Sequence, residues 1–167
     1  MAGSPTSFQV VVLTESDWRR LRDIRLIALK ADPPVFLSSH EIEAAFAEQQ
    51  WRQEFSRGEW NVMRAGALDV GLVGVTKEPD MPPRERYLEY LWVARRFRRH
   101  GGATLLLRAV LDRLRDSGIQ TVWLYILDGN DPAMRLYQGF GFQSTNERQE
   151  LPDHPAGSEE RMRLRLN

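Results

Sequence analysis

The stretch RYLEYLWVARRFRRHGGATLLLRAVLDRLRD, residues 86–116, joins a hydrophobic strand to an amphipathic helix through a turn of arginines and glycines. Along Arg86 to Val93, Tyr87, Glu89, Leu91 and Val93 alternate with Leu88, Tyr90 and Trp92. Both faces therefore carry large apolar side chains, and the alternation predicts a strand in the interior of a sheet. From Ala103 to about Asp116, Leu106, Val110 and Leu114 form one helical stripe with Leu107 and Leu111 beside them. Gly118 follows where a left-handed C-terminal cap is expected.

Working outward, FQVVVLT at 8–14 reads as a strand, and Ser16 or Asp17 offers an N-cap for a helix carrying Trp18, Leu21, Ile24 and Ala28. Asp32-Pro33-Pro34 ends that helix, because proline lacks the amide donor and restricts the residue before it. A second helix is predicted from Ser38 or Ser39 to about Phe55, with Ile42, Phe46 and Trp51 on its apolar face. Strands are expected at Trp60–Ala65 and Val70–Lys77, and again at Thr121–Leu127, whose continuous apolar run marks a buried strand. Asp131-Pro132 opens a short helix to Gln138, and two strands, Phe142 to about Glu150 and Arg161 to Leu166, flank a loop at 151–160. The order βααβββαβαββ predicts an α/β (α+β) sheet, with antiparallel strands first and a parallel pair around Glu89 and Leu124. No linker or repeat interrupts it, so residues 1–167 are read as a single domain.

Composition narrows the function classes. The 23 Lys and Arg balance the 23 Asp and Glu, so no global field points to nucleic acid or to an anionic membrane. Cysteine is absent, which excludes disulfides, thiolate nucleophiles and Cys-ligated zinc. His40, His100 and His154 stand far apart, and no metal site is expected. Met1 to Phe8 lacks the basic and apolar segments of a leader, and no apolar run is long enough to span a bilayer, so a cytoplasmic protein is expected. Arg95, Arg96, Arg98 and Arg99 form a local basic cluster. Only Phe97 interleaves with them, a poor platform for stacking bases, and anion binding at the helix start accounts for the cluster more simply.

Two segments carry candidate chemistry. In Arg98-Arg99-His100-Gly101-Gly102-Ala103 the glycines uncover backbone amides at a helix N-terminus, where the helix dipole favours an anion such as a diphosphate. A tight turn is the plainer reading of the same residues. In the second, Asn130 to Phe142, the residues read as a capped helix with a Gly stop and a half-buried Tyr137.

Together, Arg-x-x-Gly-x-Ala at 98–103 and Asn-x-x-Ala-x-x-x-Tyr-x-x-x-Gly-Phe at 130–142 resemble the GNAT family of acetyl-CoA-dependent N-acetyltransferases. Ala94 and Arg99 depart from the proline and glycine common there, and Arg99 should stiffen the turn. The resemblance implies a mostly antiparallel sheet of six or seven strands, flanked by about four helices, with a splayed parallel central pair. It implies acetyl-CoA as cosubstrate, its pantetheine arm on the backbone of Leu91, Trp92 or Val93. The pyrophosphate would rest on Arg98, Arg99, His100, Gly101, Gly102 and Ala103, with Thr104 as a hydroxyl donor. Tyr137 would be the general acid toward the leaving thiolate, and Glu89 a candidate base, although a hydrogen-bonded or solvated acid is an equal reading. Asn130 binds the cofactor or caps its helix; the sequence leaves both open. The implied reaction is direct attack of a primary amine in a ternary complex, since no cysteine is present to carry an acyl group. The alternative is a catalytically silent acyl-CoA sensor or regulatory module. The acceptor is unassigned, and a homodimer is compatible with the family.

Overall fold

The structure is a computed structural model that describes residues 7–167. The reading of Met1 to Phe8 as lacking a leader rests mainly on residues 1–6, which lie outside them. The strands are β1 (Phe8–Val12), β2 (Gly58–Ala65), β3 (Leu68–Thr76), β4 (Glu85–Val93), β5 (Thr121–Leu127), β6 (Gln143–Leu151) and β7 (Gly157–Arg165). The helices are α1 (Trp18–Ala31), α2 (His40–Ala44), α3 (Glu48–Arg57), α4 (Gly102–Asp116) and α5 (Asp131–Gly139). The strands form one sheet in the order β1-β2-β3-β4-β5-β7-β6, and every neighbouring pair is antiparallel except β4–β5. This is the mixed α/β architecture expected, with the parallel pair where the sequence predicts it.

The sheet separates two cores. On one face Leu106, Leu107, Val110 and Leu111 of α4 and Tyr137 of α5 pack on Met63, Val73, Val75, Leu88, Val122, Leu124 and Met162. On the other, Leu21, Ile24 and Leu29 of α1 and Trp51 of α3 meet Trp60, Val62, Leu72 and Trp92. Trp18, Trp51 and Trp60 are buried here as packing residues. The ring of Trp60 lies over Gly74, its partner on β3, where an added Cβ would stand 2.7 Å from the ring.

Three expectations need correction. The helix predicted from Ser38 or Ser39 to Phe55 is two helices, broken at 45–47. There the Ala47 amide donates to Gln50 Oε1 at 2.8 Å, capping a new helix start, and Phe46 turns onto Trp51 with ring centroids 5.4 Å apart. The loop at 151–160 is only a hairpin turn, because β7 begins at Gly157, with Ser158 and Glu159 buried. The alternation in β4 also fails. Leu72 faces Trp92 and Gly74 faces Glu89, so one strand advances two residues while the other advances three. Tyr90 takes up this bulge with φ of 57°, a left-handed conformation rare for a bulky residue. Tyr90 and Trp92 consequently share the α1 face with Glu89, while Leu91 and Val93 turn to the α4 core beside Leu88.

Candidate active site

The parallel pairing of β4 and β5 covers only Glu85–Tyr87 against Thr121–Trp123. Beyond it the strands diverge, leaving the β5-side backbone of β4 after Tyr87 without a strand partner. A cavity of about 590 Å³ occupies the divergence. Its walls come from β4, β5, the start of α5, the segment after α1 and Glu159 of β7. Of the expected residues, Glu89, Leu91, Trp92, Val93, Arg98, Ala103, Asn130 and Tyr137 line it together.

The approach to α4 is a tight turn built from unusual backbone. Arg99 and Gly101 have φ of 63° and 74°, and Gly101 is the N-cap. Arg99 thus occupies a conformation that favours glycine. Arg99, His100 and Gly101 are exposed, whereas Gly102 is buried and an added Cβ there would stand 2.8 Å from Met63 Cε. Thr104 does not reach the cavity. It faces a second groove between α4, α5 and the end of the chain, beside Arg108 and Arg135.

Arg98 braces the end of β4. Its Nε donates to the Val93 carbonyl at 2.7 Å, and its terminal nitrogen donates to Asp32 Oδ2 at 2.6 Å. Trp92 Nε1 donates to the same Asp32 oxygen at 2.8 Å. Burial works against the Asp32 charge, but the bonds from Trp92 and Arg98 outweigh it and hold the carboxyl below its ordinary range. Asp32 is therefore a structural acid tying α1 to β4, besides standing at the helix stop that the sequence predicts.

Glu89 projects from the bulged strand and accepts a hydrogen bond from Thr76 Oγ1 at 3.1 Å. Burial raises its pKa against the pull of Arg57 and the Thr76 bond. Tyr137 is 8% exposed, lies edge-on to Phe142 with centroids 5.6 Å apart, and has its pKa raised by burial alone. Among the described residues its hydroxyl has no hydrogen-bond partner, and the residue lines the cavity. Asn130 Oδ1 accepts from the Ala133 amide at 3.3 Å, which makes it the N-cap of α5 as well as a cavity residue.

Beneath Tyr90 lies a buried ionic cluster. Arg25 donates to Glu43 at 2.6 Å, to Glu54 at 2.8 Å and to the Tyr90 hydroxyl at 3.1 Å. Its guanidinium sits 4.3 Å from the Tyr90 ring centroid, 5.2 Å from that of Trp51 and 5.1 Å from that of Trp60. Burial pushes the Tyr90 phenol up to about 12, against the pull of Arg25. A signal for this cluster existed in the sequence: Arg25 interrupts the apolar stripe of Leu21, Ile24 and Ala28. Sequence reasoning also missed Phe36, Tyr87, Tyr125 and Glu159 as cavity residues. The Tyr87 and Tyr125 rings stack with centroids 6.0 Å apart at 11°. Over the cavity, the His154 ring nitrogen Nε2 bonds the Phe36 carbonyl at 3.0 Å, joining the β6–β7 hairpin to the segment after α1.

Among the described residues no helix is long and apolar enough to cross a membrane. The family model described as the acetyltransferase (GNAT) family matches residues 20–142. Rat N-acetyltransferase 8B is 37% identical over 92 residues, 54% of this chain and 41% of the relative. The curated matches span between 35% and 57% of the relatives' own lengths. Among solved structures, a GNAT-family acetyltransferase from Streptococcus pneumoniae superposes with a TM-score of 0.79 at 17% identity, covering 96% of this chain and 100% of that one. Salmonella typhimurium yncA, solved with its cofactor acetyl-CoA, has a TM-score of 0.75 at 13% identity, covering 96% of this chain and 95% of that one. With the family matched across the helix α1, the bulged strand, the glycine turn and the Tyr137 helix, the chain belongs to the GNAT acetyltransferase family.

Proposed function

We propose that this chain transfers an acetyl group from acetyl-CoA to a primary amine by direct attack in a ternary complex. The observation that carries the reading is the cavity between β4 and β5, where unpaired strand backbone, Glu89 and Tyr137 meet. The residues present suit the cosubstrate. The free edge of β4 at Leu91 to Val93 offers amide groups to the pantetheine arm, and the Gly101 turn presents the N-terminus of α4 to a diphosphate. Bound there, acetyl-CoA supplies a thioester carbonyl within the cavity.

Glu89 takes a proton from the incoming ammonium, directly or through water, because an alkyl amine titrates near ~10.4 and only its neutral form attacks. The amine nitrogen then bonds the carbonyl carbon, and a backbone amide near Trp92 or Val93 stabilises the developing oxyanion. The carbon–sulfur bond breaks, the Tyr137 hydroxyl gives its proton to the departing sulfur, and the surplus proton on the newly bonded nitrogen passes through water to restore the phenol. Burial keeps the Tyr137 phenol protonated before the reaction, so a proton is in place when the thiolate forms. Asp32 and Arg98 hold Trp92 and the Val93 carbonyl in position.

A thiol-release assay with acetyl-CoA and a panel of primary amines tests the reading. Amine-dependent release of coenzyme A, with the acetylated amine found by mass spectrometry, is expected. Tight binding of acetyl-CoA with no amine-dependent release would favour the sensor alternative.

A further inference from the structure

Glu159 is 6% exposed and lines the cavity, yet among the described residues its carboxylate makes no hydrogen bond or ion pair. Its strand register explains the orientation. Glu159 lies opposite Leu127, on the face shared by Trp123 and Tyr125, whereas Ile126 and Met162 turn toward the α4 core. The early start of β7 thus drives a carboxylate into the acceptor side of the cavity.

The charges around that side are lopsided. The charged side chains lining the cavity are Asp32, Glu89, Arg98 and Glu159. Asp32 and Arg98 pair with each other at 2.6 Å, which leaves two carboxylates facing the space without an ion-pair partner. Nearby cations are engaged or lie to the side: Arg57 pairs with Glu54 at 3.6 Å, and Arg161 stacks 3.8 Å over Trp123 while pairing with Glu147 at 2.7 Å. The imidazole of His154, which acts on Glu159, is bound at both ring nitrogens by Phe36 and Ala156. The stacked Tyr87–Tyr125 pair lines the same cavity; the Arg161 guanidinium lies 5.6 Å over the Tyr87 ring, which leaves the exposed Tyr125 ring as the face that can attract a further cation.

We propose that the acceptor carries a second cationic group besides the amine that is acetylated, and that Glu159 with Tyr125 binds this second charge. The inference rests on the acetyltransferase reading and narrows its acceptor to a dicationic amine. Glu89 and Glu159 stand on strands separated by β5, so at roughly 4.8 Å per strand, plus the splay, they are on the order of 10 Å apart. A flexible chain of about four to six carbons between two ammonium groups spans that separation. One ammonium meets Glu89 and loses its proton there, and the other stays charged against Glu159, where the buried carboxylate gains the partner it lacks.

The test compares kcat/KM for cadaverine, pentylamine and ε-aminocaproate at saturating acetyl-CoA with the purified full chain. The dication is expected to exceed the monocation by about 10- to 100-fold, with the amino acid slowest. In Glu159→Gln the ratio of cadaverine to pentylamine should fall toward one, and in Glu159→Asp it should take an intermediate value. The Asp variant keeps the test decisive if the Gln variant fails to fold. Equal kcat/KM for dication and monocation in the native chain, or a ratio that survives Glu159→Gln, overturns the inference while leaving acetyl transfer standing. No thiol release with any of the three overturns the inference, and the acetyltransferase reading falls with it only if the wider panel of primary amines is silent as well.

Discussion

Tyr137 and Glu89 reach one cavity from different elements, and burial favours the protonated form of both. A buried phenol with no competing partner is suited to give a proton late. Tyr137→Phe should therefore lower kcat by about 100-fold or more while acetyl-CoA affinity stays close to native. Steady-state rates paired with calorimetry check this, and an unchanged kcat removes Tyr137 from the reaction. The raised pKa of Glu89 has two consequences. As the base, it makes kcat/KM rise with pH through an inflection above the ordinary carboxyl value of 4.5, and Glu89→Gln should abolish that limb. For stability, its folded-state pKa lies above the unfolded one. Its contribution is then fully present below the unfolded value and is lost as pH rises through the folded value. Glu89→Gln, which still accepts the Thr76 bond, should gain more Tm over the native chain at pH ~8 than at pH ~4. A difference independent of pH would contradict the burial argument. Tyr137 was legible in its helix motif, as was the N-cap role of Asn130. Glu159 was not, because Gly157 and Ser158 carry turn chemistry, and only pairing with distant β5 makes them strand.

At the scale of elements, the opening of β4 depends on Tyr90, whose positive φ is held by contacts to Arg25, Phe36 and Trp60. Arg25 is the cation of a buried cluster, and its removal leaves Glu43 without a counter-charge and Glu54 with only Arg57. Arg25→Met should cost about 3–5 kcal/mol, read from the urea midpoint. A cost below ~1 kcal/mol would show that the cluster does not hold the strand. The turn into α4 allows a controlled comparison. Gly101→Ala and Gly101→Asp share the strain of φ 74° and meet no neighbouring atom, so they differ mainly in charge. The Asp variant should bind acetyl-CoA weaker than the Ala variant by on the order of ten-fold, and equal affinities would displace the diphosphate from this turn. Periodicity found α4 and the strand pair around it, because Leu106, Val110 and Leu114 and the run Thr121–Leu127 encode local geometry. It could not find the bulge, since a single extra residue at Tyr90 leaves the apolar pattern of β4 intact while turning Leu91 and Val93 to the other core. The break at 45–47 escaped for a related reason: Ala45 and Ala47 are good helix formers, and the Gln50 cap and the Phe46–Trp51 contact decide against them.

For the whole molecule, the sheet keeps two cores apart, and the divergence of β4 and β5 opens a cavity between them. The α4–α5 side brings the helix N-terminus and Tyr137. The α1–α3 side brings Glu89, the tyrosine pair and Glu159, and the His154–Phe36 bond ties the hairpin and the segment after α1 together above them. Two substrates entering from opposite faces of one sheet would meet at that divergence, which is the geometry direct transfer requires. The succession of elements along the chain, the parallel pairing of β4 with β5 and the neutral charge balance were readable from the sequence. The splay came only through the family resemblance of the motifs at 98–103 and 130–142, since it depends on a register between strands separated by a whole helix. Calorimetric titration with acetyl-CoA, with ATP as the control, tests the central claim most directly. Acetyl-CoA should bind at a single site with micromolar affinity, and ATP much more weakly. Equal affinities, or no binding of acetyl-CoA, would contradict it.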